Sequence, residues 1–329
     1  MTILVTGGAG YIGSVVAAEL VDRGHDVVVV DNLSSGHLEA VPAGANFVQL
    51  DLADRPGIQD VLAHHKVSAV MHFAANIQVG ESMREPFRYI GDNVRNTLNL
   101  LEAMTQTGVK RLIFSSTAAL FAPSDEPIAE EAPIAPASPY GESKYMIERA
   151  LRWLNETVGL RYVSLRYFNA AGAWAGRGEN HAGESHLIPL VLAVAAGRSQ
   201  CVEVYGDDYP TPDGTCVRDY IHVYDLAEAH ILALEVLDRG SRVFNLGNGK
   251  GFSVREVIDV ASRVTGKHIP VRICGRRAGD SPWLVADSRR IRAELGWRPR
   301  FDDLESIVAS AWQWHRAHPY GYASKKRQP

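Results

Sequence analysis

The first 31 residues leave few architectures open. TILVTG is a short apolar run ending in glycine, Tyr11 to Arg23 follows a helical pattern, and HDVVVVD is a β-branched run too apolar for an exposed strand. Strand, glycine-rich turn, helix and buried strand in that order predict the opening of a parallel sheet. Further apolar runs (NFVQLD, VSAVMHFA, KRLIFSS, RYVSLRY) alternate with helical stretches such as Asn93 to Thr107 and Tyr140 to Val158. The fold class expected is α/β, a Rossmann-type doubly wound parallel sheet with right-handed crossovers. After Tyr167 the rhythm changes. Residues 172–186 and 206–216 are rich in Gly, Pro, Asp and His and read as loops shaped around a ligand. The short strands Val243 to Leu246 and Val271 to Cys274, with helices Val254 to Thr265 and Leu304 to His315, read as a smaller mixed α/β unit.

The turn VTGGAGYIGS satisfies two glycine frames, Gly8-Gly10-Gly13 and Gly7-Gly10-Gly13, and both stay open at this point. Either permits a tight turn and close backbone approach to a pyrophosphate stabilised by the helix N-terminus. Asp31 follows 18 residues after Gly13, at the end of the second strand. A carboxylate there accepts hydrogen bonds from an adenosine ribose and repels a 2′-phosphate. Asn32, Leu33 and Ser34 bring no cation, so NAD is expected over NADP.

A dinucleotide site gives meaning to PYGESK, residues 139–144. Ser138 is a natural N-cap and Pro139 a natural first helical residue, so Tyr140 and Lys144 share one helix face. Alone, such a pair is also compatible with a solvated helix surface. A free phenol titrates near pH ~10, and bringing it to neutrality needs roughly 4 kcal/mol of phenolate stabilisation. The Lys144 ammonium and an oxidised nicotinamide are the charges expected to supply it. Ser115, Ser116 and Thr117, at the end of KRLIFSS-T, offer hydroxyls for a substrate alcohol, and the pattern leaves the choice among them open.

The glycine turn, the strand-end hydroxyls and Tyr-x-x-x-Lys together resemble the extended short-chain dehydrogenase/reductase family, and within it the UDP-galactose (UDP-glucose) 4-epimerases. The similarity runs through nearly all of residues 2–318. It is carried by HFAA, VGES, SLRYFNAAGA, ESHLIPLVL, VYGDDYPTPDGTCVRDYIHVYDLAEAH, FNLGNGKGFSVREV and ELGW. The resemblance implies NAD-dependent interconversion of UDP-galactose and UDP-glucose. The C4 hydroxyl is oxidised, the 4-keto sugar turns about its diphosphate link, and hydride returns to the opposite face. It implies Tyr140 as base, Lys144 as the residue that lowers its pKa and holds the ribose, and Thr117 as the hydroxyl. Cofactor contacts carried over are Gly7, Gly10, Tyr11, Ile12, Gly13, Asp31, Asn32, Ser35, Asp51, Leu52, Phe73, Ala74, Ala75, Asn93, Ser115, Tyr140, Lys144 and Phe168. Substrate contacts are Thr117, Tyr140, Asn169, His186, Leu187, Arg218, Tyr220, Arg277 and Asp280, the arginines clamping a diphosphate. The implied domains are 1–168 for NAD, with 217–238 packing back onto it, and 169–318 for the UDP-sugar, followed by a flexible tail 319–329. A homodimer through Pro86 to Thr107 and the Tyr140 helix is implied as well.

Three positions depart from the family pattern. Ile77 stands where some members carry a cofactor-reaching lysine. Leu120-Phe121-Ala122 replaces Val-Tyr-Gly. Leu284 stands where glucose/galactose-restricted members have a tyrosine, which predicts some tolerance of N-acetylated sugars. Ala118-Ala119 occupies the place of the Asp-Glu pair of the sister 4,6-dehydratases, so elimination chemistry lacks its proton donors.

Bulk properties narrow the partners. A net charge of −4 gives no field for nucleic acid or an anionic membrane, and the one basic cluster is Lys325-Lys326-Arg327. No apolar run reaches a membrane span, and no secretory signal fits the start, since Ile3-Leu4-Val5 breaks at Thr6-Gly7-Gly8. Cys201, Cys216 and Cys274 are sparse and odd in number, which fits a cytoplasmic chain without disulfides or structural zinc. The histidines show no metal-ligand spacing, and no metal is expected.

Overall fold

The computed structural model describes residues 1–277 and 280–322; the basic cluster and most of the expected flexible tail lie outside the described residues. Six strands in the first half, β1 (Thr2–Thr6), β2 (Asp26–Asp31), β3 (Asn46–Gln49), β4 (Ala69–His72), β5 (Arg111–Thr117) and β6 (Arg161–Tyr167), join one sheet. A seventh strand, Arg242–Leu246, completes it. All pairings are parallel, in the order Arg242–Leu246, β6, β5, β4, β1, β2, β3. The strand order reverses between β1 and β4, and at such a point a crevice opens beyond the strands' carboxyl ends.

The helices α1 (Tyr11–Asp22), α2 (Arg55–His64), α3 (Val79–Ser82), α4 (Pro86–Thr107) and α5 (Pro139–Val158) follow these strands. The β-branched run of β2 is buried on both faces: Val27 and Val29 join one apolar core with Ile3, Val5 and Val15, and Val28 and Val30 join the other with Leu4, Leu62 and Leu101. That two-sided burial is why β2 reads as an unbroken run of valines rather than as an alternating strand.

One sequence assignment is corrected here. Val243 to Leu246 is not part of the smaller unit but pairs with β6 from Ser164 to Tyr167 at the end of the main sheet. Its Phe244 and Leu246, with Trp297 and Ile291 from near the C-terminus, lie in the core of α1 and β1. Two further helices are α6 (Leu187–Ala195) and α7 (Val223–Val236), and apolar side chains of α7 from Leu226 to Val236 fill the same core. Sequence position misleads because the chain leaves the sheet after β6 and returns only after the excursion 169–241.

The smaller unit is built around the strand Val217–His222. It pairs parallel with Asn169–Ala171 and with Trp283–Leu284, and antiparallel with Gly251–Ser253. A two-stranded pair, Val202–Tyr205 with Val271–Cys274, lies beside it. Its core includes Val191, Leu192, Val257, Ile307 and Val308. Residues 319–322 are held rather than loose, since the Tyr322 ring stacks on His37 at 4.9 Å and its hydroxyl meets Gly178 N at 3.0 Å.

Candidate active site

The turn after β1 resolves the glycine frame. Gly7 has φ +71°, and a Cβ there would lie 2.6 Å from Ala74 N on the neighbouring strand end. A Cβ on Gly13 would lie 2.3 Å from Gly7 O, and Gly10 is the N-cap of α1. Gly7, Gly10 and Gly13 are therefore the frame, while Gly8 fits closely against Val29. The first turn of α1 has no side-chain cap, which leaves its N–H groups free for an anion. Asp31, at the end of β2, accepts from Ala9 N at 3.1 Å and Leu33 N at 2.8 Å. Its burial pushes the carboxyl up, and those two N–H groups pull it part-way back. These features fit a dinucleotide: a bare-backbone cradle for the pyrophosphate and a carboxylate one strand away for a ribose.

The remaining cofactor candidates fall on the carboxyl ends of neighbouring strands. Asn32 and Ser35 follow β2; Asp51 and Leu52 follow β3, with Asn32 Nδ2 donating to Asp51 Oδ2 at 2.7 Å. Phe73, Ala74 and Ala75 follow β4, Ser115 ends β5, and Phe168 follows β6. Tyr11 is also engaged by the second unit, its hydroxyl donating to Gly172 O at 2.7 Å. Asn93, by contrast, is buried in α4 with its amide committed: Oδ1 accepts from Asn76 N at 2.8 Å, and Nδ2 donates to Asn76 O and Ser143 Oγ. It acts on the crevice by holding the loop after Ala75. Ile77 lies in that loop and is 37% exposed, so no side-chain cation projects there.

Helix α5 starts as its sequence requires. Ser138 Oγ accepts from Gly141 N at 3.2 Å and Pro139 takes the first turn. Gly141 has its own reason: a Cβ would lie 2.3 Å from Ala119 O, so only glycine lets the helix sit this close to β5. Tyr140 and Lys144 thereby come against the β5 end, both buried. The three hydroxyls divide their work. Ser116 Oγ donates to Glu148 Oε1 at 2.6 Å, on the far side of the strand. Ser115 Oγ pairs with the Tyr167 hydroxyl at 2.5 Å. Thr117 Oγ1 caps the following turn by accepting from Ala119 N at 3.1 Å, and it is the group that draws the Tyr140 phenol back against the upward push of burial.

Lys144 is held against the strand. Its Nζ donates to Ser115 O at 2.9 Å, and burial lowers its pKa to about 7 despite the nearby Glu148. The Tyr140 phenol is pushed up by burial, and only Thr117 pulls it back. The side chains alone thus do not prepare the phenol as a base, because burial opposes charge on both groups.

The candidate substrate residues gather on the second unit. Arg218 lies on the strand Val217–His222, opposite Leu284 in register, and Tyr220 opposite Asn169. Asp280 lies between two arginines, accepting from Arg277 Nε at 3.1 Å and standing 3.6 Å from Arg218 Nη2. Leu187 opens α6. His186, expected on the substrate, turns its Nδ1 to Glu184 and Glu179 at 2.8 and 2.9 Å. It also ends the expectation that the histidines do not converge: His181 and His186 meet Glu179 and Glu184, all four donor atoms lying within 4.8 Å of one another.

Two supports had no sequence signal. Asp219, fully buried, accepts from Asn248 N, Gly249 N and Ala286 N at 2.8 to 3.1 Å and so binds three segments behind Arg218. Its pKa is raised to about 6 by burial, against the pull of those N–H groups. Glu148, below Ser116, forms a buried pair with Arg166, Nη2 to Oε2 at 2.5 Å. That guanidinium also lies over the Phe121 ring, 5.1 Å from its centroid.

Comparison with known proteins agrees with this geometry. Residues 3–247 match the model of the NAD dependent epimerase/dehydratase family. The chain belongs to that family. The UDP-glucose 4-epimerase of Lacticaseibacillus casei is 48% identical over 330 residues, covering 99% of this chain and all of that one. The crystal structure of UDP-glucose 4-epimerase from Brucella ovis, in complex with NAD, has a TM-score of 0.92 and 45% identity over 95% of this chain and 97% of that one. The Bifidobacterium longum UDP-glucose 4-epimerase in complex with NAD+ and UDP has a TM-score of 0.92 and 39% identity over 98% and 100%. As in other members of an NAD dependent family, the glycine cradle and Asp31 belong to an NAD-binding fold. None of the helices among the described residues is long and apolar enough to cross a membrane.

Proposed function

We propose that the protein is an NAD-dependent isomerase that interconverts UDP-galactose and UDP-glucose by inverting C4 of the hexose. The observation that carries this reading is the buried Tyr140 phenol, in the first turn of α5 with Lys144 one turn on, packed against the carboxyl end of β5 where Thr117 stands. The full-length likeness to UDP-glucose 4-epimerases supplies the sugar nucleotide. NAD, held by Gly7, Gly10, Gly13 and Asp31, supplies the hydride acceptor and donor when bound.

The rest is work for this chain's own side chains. Tyr140 removes the C4 hydroxyl proton and returns it after the sugar has turned. Thr117 hydrogen-bonds the same oxygen and holds it in line with the phenol. Lys144 exchanges its bond to Ser115 O for the nicotinamide ribose. Lys144, whose pKa burial lowers to about 7, and the positive charge that NAD would supply when bound favour the phenolate together. Arg218 and Arg277, already arranged by Asp280, take the diphosphate. Ala118, buried in the turn after Thr117, offers no acid for elimination, which speaks for epimerisation over dehydration.

Leu284 rests on the same small apolar cluster as Ala118, Leu120, Phe121 and Ile128. The two departures from the family pattern are therefore parts of one wall, and a leucine there supports room for an N-acetyl group. A homodimer is supported by apolar side chains left in solvent on two adjacent helices: Phe87 and Leu98 on α4, Met146 and Trp153 on α5. The free thiols Cys201, Cys216 and Cys274 support a reducing compartment, and we place the protein in the cytoplasm.

The test is direct. Purified protein is incubated with UDP-galactose, without added NAD, and UDP-glucose is followed over time. Formation of UDP-glucose alongside the absorption of bound NAD is expected. A protein that binds NAD yet converts neither UDP-galactose nor UDP-N-acetylgalactosamine would refute the reading.

A further inference from the structure

Glu179, His181, Glu184 and His186 stand on one eight-residue stretch that folds back on itself at Gly183, φ +71°. Each offers one ligand atom, and the four atoms lie within 4.8 Å of one another. Glu179 is 94% buried by complement of its 6% exposure, and the His181 side chain is 15% exposed. Glu179 and His181 are thus enclosed, while the Glu184 and His186 side chains are 18% and 42% exposed. Both imidazoles turn Nδ1 inward. His186 Nδ1 lies 2.8 Å from Glu184 Oε1 and 2.9 Å from Glu179 Oε1. His181 Nδ1 lies 3.3 Å from Glu179 Oε1 and 3.4 Å from Glu184 Oε2.

Protons alone account for half of this. The N–H of His186 satisfies one carboxylate, at charge-assisted hydrogen-bond length. His181 Nδ1 is left buried with no hydrogen-bond partner. A single cation would give His181 Nδ1 a partner, with the His186 contacts of 2.8 and 2.9 Å opening to admit it. Tetrahedral zinc with bonds of about 2.0–2.1 Å puts its ligands about 3.3–3.4 Å apart, the spacing found around His181. Two neutral imidazoles and two carboxylates also cancel the charge of a divalent ion. Nitrogen in half of the donor set favours zinc and its transition-metal neighbours over calcium or magnesium, which take oxygen. The outer contacts are those of a held ligand: Glu184 Oε1 also accepts from Ser185 N and His186 N, both at 2.8 Å.

We propose that these four residues bind one divalent transition-metal ion of the zinc class. The ion is structural. It pins the stretch between the sheet and α6, where Asn180 O meets His37 Nε2 at 3.0 Å and Gln78 Nε2 reaches Ala182 O at 3.2 Å. The stretch also edges Tyr11 of the glycine turn, whose ring lies 6.4 Å from that of His181. Metal binding thus joins the cofactor cradle to the start of the substrate-side helix. The inference does not depend on which sugar nucleotide is turned over.

The test is metal analysis of the untagged holoenzyme, purified without chelator, by inductively coupled plasma mass spectrometry. About one zinc per chain is expected, or stoichiometric uptake of added Zn²⁺ at micromolar concentration after dipicolinate treatment. Uptake should raise Tm by a few degrees. H181A/H186A should neither hold zinc nor show that rise. The zinc X-ray absorption spectrum of the wild type should show imidazole and oxygen without sulfur, a readout that stands even where the double variant fails to fold. Wild type that neither carries nor takes up zinc overturns the proposal. So does zinc retained by the folded double variant, or a sulfur shell from the cysteines.

Discussion

On the α5 side of the crevice, Ser115, Thr117, Tyr140 and Lys144 are each less than a tenth exposed, whereas on the second unit Arg277 keeps 56% of its side chain in solvent. The first wall is set by the sheet and one helix: a strand end, a proline-started turn and a glycine that allows contact at Ala119. The second is set by side chains that hold one another, Asp280 between Arg218 and Arg277, above a backbone fastened by Asp219. The difference follows from what each must do. Proton transfer needs an oxygen fixed to within a fraction of an ångström in a dry place. In the proposed function a diphosphate brings its own charge, and Arg277, in contact with water, can receive it with little desolvation beforehand.

The largest effect expected from breaking this contrast is at Tyr140. Y140F should lower kcat about 10²–10⁴-fold while bound NAD, read by its absorption, stays. A loss below tenfold with NAD retained would mean that the buried wall is not where the proton moves. Next comes the support beneath it. E148Q leaves the Arg166 guanidinium buried without its counter-charge, and urea unfolding should show a loss of about 3–5 kcal/mol. An equally deep effect from D280N would erase the distinction between the two walls.

On the solvated side, R277L should raise KM for UDP-galactose by roughly 10–100-fold, the loss of about 1.5–3 kcal/mol of charged hydrogen bonding, with kcat little changed. A fall in kcat as large as in KM would place Arg277 in the chemistry. The smallest effect is in the pH dependence of stability. Lys144 titrates near about 7 when folded and at its ordinary value of 10.5 when unfolded. Below pH 7 it is charged in both states and the full cost of burying the charge is carried. Above pH 7 the folded chain releases the proton while the unfolded chain keeps it. Cofactor-stripped wild type should therefore gain on K144M as pH rises from 7 to 9, by at most about 1.4 kcal/mol per unit. A flat difference between the two would show that Lys144 keeps its charge inside the fold.

Much of the cofactor side could be read from residues near one another in the chain. The glycine turn, Asp31 and PYGESK depend on steric limits and helix geometry that act over three to twenty residues, and the topology of a parallel sheet then brings the strand ends together. The proposed substrate residues rest on the resemblance to known epimerases, since no local rule picks them out. What escaped depends on distant partners. Nothing near Val243 to Leu246 shows that it pairs with β6, some eighty residues earlier. Asp219 looks like any carboxylate until three N–H groups from residues 248, 249 and 286 surround it. Glu148 and Arg166 become a pair only because α5 and β6 are neighbours.

The sequence by itself determined the fold class, the dinucleotide turn and the placing of Tyr140 and Lys144 on one helix face. Periodicity, caps and glycine sterics are properties of the local chain. Only the tertiary structure decided which glycine frame closes on Ala74, that Ser115 and Ser116 are engaged by Tyr167 and Glu148, and that burial lowers the pKa of Lys144. Only the tertiary structure, too, turned both imidazoles of the 179–186 stretch inward on two carboxylates. Desolvation and close approach depend on what lies across the gap, and that is settled only when the distant parts of the chain have met.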